Sequence, residues 1–417
     1  MLSVDYIRNN KEEVIRVLKN KKREADVDKI LELDRQKNES LLLIQKLREE
    51  RNILSKKTIT QEGKERGKKI KQELKIHEEE LKSTEEQLSQ LISYIPNIPL
   101  EEVPIGADAS GNIVKHAWGN LPKFDFAPLS HIELGKKLDI IDTERGTKTS
   151  GFRGYFLKNQ GAVLHISLMF YAFQKLIQKG FIPLIAPSIV KGFTLFGSGQ
   201  FPWGKDEVYK LNDDDAYLAG TSEAPVSAYF SGEILSEDEL PKKFTAFSPC
   251  FRKEAGSYGK DTKGLYRVHE FWKIEQIIIA KNDVNQARIL HEELQKNAEE
   301  LLQDLGLPYQ VLLMCTGDMG EPQIKKYDIE TWMPSRNSYG ETMSNSIMGD
   351  FQTRRLNIKY RKRDGSKEYC FTLNNTALAS PRILIALLEN FQEKDGSVRI
   401  PKVLHTLTGF DKIPVAK

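Results

Sequence analysis

The first 91 residues contain no proline, and glycine occurs among them only at Gly63 and Gly67. A stretch of that length with apolar residues at helical spacing satisfies its backbone most simply as helix. Leu74, His77, Leu81, Thr84, Leu88, Leu91 and Ile95 advance in alternating steps of three and four, the seam of a coiled coil. Ile30, Leu33, Ile44, Leu47 and Leu54 form a second, more interrupted seam, and the polar run ITQEGKERGK between the two reads as a glycine-containing turn. Pro96, Pro99 and Pro104 then end any helix. The pattern predicts an antiparallel helical hairpin over residues 1–100, with arms of about 30 residues reaching about 45 Å, and a separate domain over residues 101–417.

An arm of this kind has little core of its own, so it reads as a device for reaching something. Lys56, Lys57, Lys64, Arg66, Lys68, Lys69 and Lys71 stand near its turn against Glu62 and Glu65, a local +5 where the whole chain is only +3. The overall balance excludes a protein that coats nucleic acid along its length, whereas the local excess suits either a solvated charge run at a helix turn or a rod presenting charge to phosphates, and charge by itself does not decide between them. Cys250, Cys315 and Cys370 lie too far apart in sequence for a CxxC metal site or a disulfide framework. The N-terminus is charged from Asp5 onward, and no apolar run approaches the roughly 20 residues of a membrane span. The expectation is a soluble cytoplasmic protein with no membrane or DNA partner.

Beyond residue 107 the chain reads as α+β. Strand-like runs fall at 216–218, 244–254, 265–280, 309–314 and 369–373, and helix-like runs at 161–180, 285–305 and 382–391. Strands in near-adjacent pairs favour an antiparallel sheet flanked by helices over a βαβ nucleotide fold. GxxxxGK[ST] and a strand-linked GxGxxG are both missing.

Chemistry concentrates in SPCFRKEAGSYGKDTKGLYRVHEFWKIEQIII, where two strand-like runs bracket a loop with three glycines and two lysines, suited to close over an anion. With a period of two, Arg252 and Glu254 share a face of the first run. Arg267, His269, Phe271, Lys273 and Glu275 share a face of the second, with Val268, Trp272 and Ile274 opposite. Arginines grip phosphate oxygens, Phe271 offers a flat surface to a base, and Glu275 suits an amino group. AGTSEAP places Thr221 and Glu223 on one side of a short extended segment. SYGETMSNS spaces Glu341 and Ser344 as hard-cation ligands beside substrate phosphates. TLNNTALASPRILIALLENF runs from a strand into an apolar helix that begins at Arg382.

These stretches closely resemble bacterial-type seryl-tRNA synthetase, a class II aminoacyl-tRNA synthetase. The resemblance spans the helical hairpin, GFIPLIAPSIV as a first motif, FRKEAG…RVHEFWKIEQ as a second, and LNNTALASPRILIALLEN as a third, with TGDMG, YDIETWMP and DFQTRR between them. It implies a class II catalytic domain over 101–417 that joins L-serine to ATP and passes it to tRNA(Ser), with tRNA(Sec) left open as a second acceptor. It implies a homodimer whose interface is built largely from the first motif. The arm over 1–100 would hold the long variable arm of tRNA bound to the other subunit. Arg252 would hold the α-phosphate and the serine carboxylate, and Arg382 would share the catalytic role. Lys253, Glu254, Val268, Phe271, Thr342 and Met343 would line the ATP site, with Glu254 on the adenine amino group and Phe271 under the ring, Arg382 on its other side. Glu341 and Ser344 would ligate Mg²⁺. Thr221, Ser222, Glu223, Glu275, Asn374 and Thr376 would surround serine, Glu223 and Glu275 facing its ammonium.

Several positions depart from the family pattern. Gly340 stands where Arg is common, Asn345 and Ile347 replace Cys and Asn, Thr376 replaces Ser, and LASPR replaces LAVGR. The rival readings are a catalytically silent RNA-binding paralogue, an amino-acid:carrier-protein ligase, and a structural coiled coil. The first would lose Arg252, Glu254, Glu275 or Arg382, the second lacks the arm, and the third leaves the polar constellation without a purpose.

Overall fold

The computed structural model describes residues 1–56, 60–212, 214–255 and 263–416. It divides into two compact units, Met1–Ile98 and Pro99–Lys417. The predicted glycine-rich loop over the second motif, and Lys57 near the turn of the hairpin, lie largely outside the described residues.

In the first unit, α1 (Val4–Asn9) and α2 (Lys11–Asn20) precede two long helices, α3 (Val27–Lys56) and α4 (Gln61–Ile92). Ile7, Val14, Ile30, Leu33, Leu88, Ile92 and Ile95 close one end of the pair, and Ile44, Leu47, Ile70 and Leu74 make a second buried cluster farther along. Of the run ITQEGKERGK, residues 61–68 are helix rather than turn: Thr60 caps α4 by accepting the Gly63 N–H at 3.1 Å. Both glycines therefore sit in the first two turns, where a good N-cap offsets their weak propensity. Arg66 is also turned onto its own hairpin, 2.7 Å from Glu50 and 3.2 Å from Glu73. The positive face offered outward thus falls to the lysines.

The second unit is built on an eight-stranded sheet. Its strands are β1 (Ile113–Trp118), β2 (Ile182–Ile185), β3 (Lys242–Phe251), β4 (Glu270–Ala280), β5 (Tyr309–Leu313), β6 (Lys325–Met333), β7 (Ser338–Gly349) and β8 (Phe371–Ala379). Their order across the sheet is β1-β5-β6-β7-β8-β4-β3-β2, antiparallel throughout except the β2–β3 edge. Helices α5 (Asn159–Gln178), α6 (Val284–Asp304) and α7 (Arg382–Asn390) bury Leu164, Leu168, Leu290, Leu294, Leu301 and Ile383–Leu388 in one core with Ile274 and Ile278 of the sheet. Behind the central strands Gln276 donates to Asn375 at 2.7 Å and accepts from Asn297 at 2.8 Å, so this buried amide facing α6 is paired on both sides. No helix among the described residues is long and apolar enough to cross a membrane.

Alternation along β4 sets up the site. Trp272 faces the helices, with its ring 4.9 Å from His165 and 5.4 Å from Phe247. Phe271, Lys273 and Glu275 therefore point to the opposite side of the sheet. Farther along that side Ile277 and Ile279 enter a small second core with Ala246, Leu356 and Ile358.

Candidate active site

On the side of the sheet away from α5 and α6 lies a cavity of about 390 Å³. Its walls bring together Thr221, Glu223, Arg252, Glu254, Val268, Phe271, Glu275, Glu341, Thr342, Met343, Ser344, Asn374, Thr376 and Arg382. Two expected residues are not among them. Ser222 is fully buried at the start of a short helix, Glu223–Ser227, and Lys253 lays its ammonium 5.7 Å from the Tyr209 ring. The Lys253 backbone is fixed there by its N–H bond to Glu207 O at 2.9 Å.

The period-two reading holds only where there is strand. β3 ends at Phe251, and residues 263–269 are irregular. Val268, expected on the far face, accordingly lines the cavity, while His269 turns to a separate small pocket beside Tyr209. His269 instead fixes Arg252 from behind: Arg252 N–H donates to His269 O at 2.9 Å, and His269 Nδ1 lies 2.9 Å from Arg252 O. The Arg252 guanidinium reaches Gly220 O through Nε at 3.2 Å and lies 5.2 Å from the Phe271 ring centroid. Glu254 adopts a left-handed backbone (φ 53°) and meets Arg267 at 3.2 Å, a strained conformation of the kind that collects at ligand sites. Glu223 opens a helical turn rather than an extended segment, its N–H bonded to Thr221 Oγ1 at 3.1 Å.

Two β-bulges decide which side chains converge. On a regular strand Glu341 and Ser344, three apart, would face opposite ways. β7 pairs Glu341 with Glu330 but Met343 with Ile329, so Thr342 is an extra residue and the phase flips. The second bulge lies on β8, where Leu378 faces Ile274 and Thr376 faces Glu275. Beyond the bulge in β7, Ser344 and Ser346 face the cavity while Asn345 and Ile347 point to the helices. Asn345 ties the sheet to α6 by donating to His291 O at 2.9 Å and Gln295 at 3.2 Å. These two departures from the family pattern are thus packing changes.

Five basic and four acidic side chains line the cavity, in two groups. In the first, Lys273 and Glu275 form a buried ion pair, Thr376 Oγ1 donates to Glu275 at 3.3 Å, and Gln352 donates to Glu223 at 2.8 Å. Burial, reinforced by Glu275, pushes the Glu223 carboxyl up to about 7. In the second, Arg382 lies 3.4 Å from Glu341 and donates to its backbone oxygen at 2.8 Å. Desolvation raises Glu341, but Arg382, Lys326 and Arg252 outweigh it and hold the carboxyl below its ordinary value. Arg382 rests against Tyr266 at 4.5 Å, and Arg336 against the same ring at 4.3 Å. A Cβ at Gly340 would come within 2.9 Å of the Tyr266 hydroxyl, so the tyrosine occupies the space that a side chain at 340 would need.

Sequence reasoning left Gln200, Tyr266, Gln323, Lys326 and Ser346 out of the site, and did not commit Lys273 or Arg267 to it. For Lys273 the signal was present, since it alternates with Phe271 and Glu275. For Lys326 it is missing, because β6 mixes polar and apolar residues and does not read as a strand.

A polar cavity on an antiparallel sheet, floored by arginines and carboxylates, belongs to a known class. Residues 207–391 match the family model described as tRNA synthetase class II core domain (G, H, P, S and T). The fold is shared with Giardia lamblia prolyl-tRNA synthetase in complex with prolyl-adenylate, at TM-score 0.57 and 16% identity over 66% of this chain and 54% of that one. Residues 1–99 match the seryl-tRNA synthetase N-terminal domain. The serine–tRNA ligase of Deinococcus radiodurans is 43% identical over 98% of both chains, and that of Treponema denticola 41% identical over 99% of this chain and 100% of its own. Seryl-tRNA synthetase from Pyrococcus horikoshii, solved in complex with ATP, superposes with TM-score 0.93 at 38% identity, covering 100% of each chain. The chain belongs to the seryl-tRNA synthetase family.

Proposed function

We propose that the cavity between β4, β7 and β8 is where this family member makes seryl-adenylate, and that its two charged groups divide the work. The ammonium of L-serine is held by Glu275 and Glu223, and its hydroxyl by the Thr376–Lys273 side of the pocket. ATP lies along the other group, with adenine against Phe271, Val268 and Glu254, and its α-phosphate at Arg252. The observation that supports this reading is that Arg252 shares one cavity with Glu223, Glu275 and Arg382, and its charge acts on both Glu223 and Glu341.

The serine carboxylate is already an anion and needs no general base. Its oxygen attacks the α-phosphorus, the bond to the β-phosphate oxygen breaks, and pyrophosphate leaves with the electron pair. Arg252 and Arg382 stabilise the charge that gathers on phosphorus and leaving group, as preorganised cations do in a desolvated site. In the second step a hydroxyl of the tRNA's terminal ribose attacks the seryl carbonyl and AMP departs. Glu341 and Ser344, brought to one wall of the cavity, offer the hard oxygen donors that Mg²⁺ takes. The ion's contribution there is neutralisation of phosphate charge.

The unit over 1–98 serves as the tRNA arm, its lysine-rich end gripping backbone by shape and charge; the acceptor is tRNA(Ser), with tRNA(Sec) a further substrate to try. A homodimer is supported by an apolar stripe on α5, where Val163, Ile166, Phe170 and Ile177 are exposed beside Ile182 and Ile185 of edge strand β2. Three free cysteines fit a cytoplasmic setting.

ATP–pyrophosphate exchange with Mg²⁺ and serine, threonine, alanine, glycine or cysteine tests the reading. Exchange confined to serine is expected. Exchange with another amino acid would move the specificity, and none at all would favour the silent RNA-binding paralogue over a ligase. The Glu223 carboxyl supplies a second test. It must be ionised to hold an ammonium, so the KM for serine is expected to rise by up to about tenfold per pH unit as pH falls below 7, with kcat little changed. Glu223→Gln should have a weaker but pH-independent KM between pH 8 and 6.

A further inference from the structure

The activation chemistry leaves two charged groups on the cavity wall unused, Arg267, which meets Glu254, and Lys326. Lys326, on β6, places Nζ 2.9 Å from Asp328 Oδ2. Its side chain is only 15% exposed, yet it reaches the cavity that also holds Glu341 and Ser344. Strand pairing sets Asp328 directly opposite Ser344. Asp328 is 4% exposed and interacts with the Ser344 hydroxyl as well as with Lys326. Burial alone would discharge a lysine, but Asp328 and Glu341, with a smaller attraction from Asp318, keep this ammonium charged.

At this end of the cavity two carboxylates, Asp328 and Glu341, are already matched by two cations, Lys326 and Arg382. A bare divalent cation would bring two positive charges into a balanced cluster. A cation arriving on ATP brings a net negative charge to the same place. We infer that Lys326 is a positioning residue that closes the Glu341–Ser344 site to a free divalent cation and leaves it open to the metal–nucleotide complex. The inference rests on the metal ligands proposed above. In the ligand-free protein the lysine holds the charge that the cation holds in the complex, which keeps Asp328 and Glu341 in place without metal.

The test is Mn²⁺ binding to the full-length protein, followed by loss of the free-ion electron paramagnetic resonance signal. Wild type is expected to take up Mn²⁺ only when ATP is present. Lys326→Met should bind Mn²⁺ alone at least about tenfold more tightly, since a unit charge a few ångströms away is removed in a partly desolvated site. Lys326→Arg, which keeps the charge, should behave as wild type. Lys326→Gln serves as a second neutral variant should the methionine protein fail to fold, as judged by near-ultraviolet circular dichroism. Equal Mn²⁺ affinity in wild type and both neutral variants would overturn the gate. In that case Glu341→Gln, measured with ATP present, shows independently whether Glu341 is a ligand. Tight binding that survives in Lys326→Met/Glu341→Gln would place the metal elsewhere and overturn both the gate and the assignment of Glu341.

Discussion

Arg252→Gln is expected to lower serine-dependent ATP–pyrophosphate exchange by about a thousandfold, the upper range for loss of one preorganised donor at a developing charge. The loss should appear in kcat as well as in kcat/KM, because the guanidinium is assigned to the phosphorus where charge gathers. Stability should hardly change. Among the described residues the side chain makes one hydrogen bond, to Gly220 O at 3.2 Å, and the main chain is anchored separately by His269. Steady-state exchange and a thermal melt on the same preparation separate the two effects. Unchanged exchange would remove Arg252 from the reaction centre. Arg252→Lys should recover little, since a point charge cannot reproduce a planar fork of donors.

The second large effect is expected at Glu275. Its carboxylate is 1% exposed and paired with Lys273, itself 6% exposed. Glu275→Gln removes one partner of a buried pair and strands the other, which typically costs about 3–5 kcal/mol of stability. It also removes the carboxylate assigned to the serine ammonium, and kcat/KM for serine should fall at least about a hundredfold. The double variant Lys273→Met/Glu275→Gln distinguishes these effects. Chemical denaturation should show much of the stability restored, because no lone buried charge remains, while exchange stays low. Recovery of activity together with stability would make the pair structural and leave the ammonium to Glu223.

The residues assigned to serine and ATP come from distant parts of the chain, and the sequence showed them unevenly. The second motif announces itself because β4 alternates without interruption from Phe271 to Glu275 and becomes wholly apolar after Gln276. β6 and β7 gave no such sign. Asp328, Glu330, Thr331, Glu341, Thr342, Ser344 and Ser346 make both strands read as polar segments, though eight of the twelve residues of β7 are buried. Their polar side chains face the cavity or pair with one another, as Thr331 and Thr342 do at 2.7 Å. Strand propensity is weak where what the strand faces is a ligand cavity rather than a core. The glycines of ITQEGKERGK mislead for a comparable reason: glycine breaks a helix by propensity, but here Thr60 supplies a cap.

By itself, then, the sequence determined the helical arm, the antiparallel class of the catalytic fold, and the identities of the arginines and carboxylates, because periodicity and residue chemistry are local properties. Tertiary structure alone decided that Glu341 and Ser344 face the same way, that Val268 enters the cavity while His269 and Lys253 leave it, and that Lys326 stands among the carboxylates. Each of those outcomes turns on a bulge, a strand end or a cross-strand register. Such features arise from pairing between segments far apart in the chain, and a one-residue shift in pairing reverses the face on which every later side chain lies.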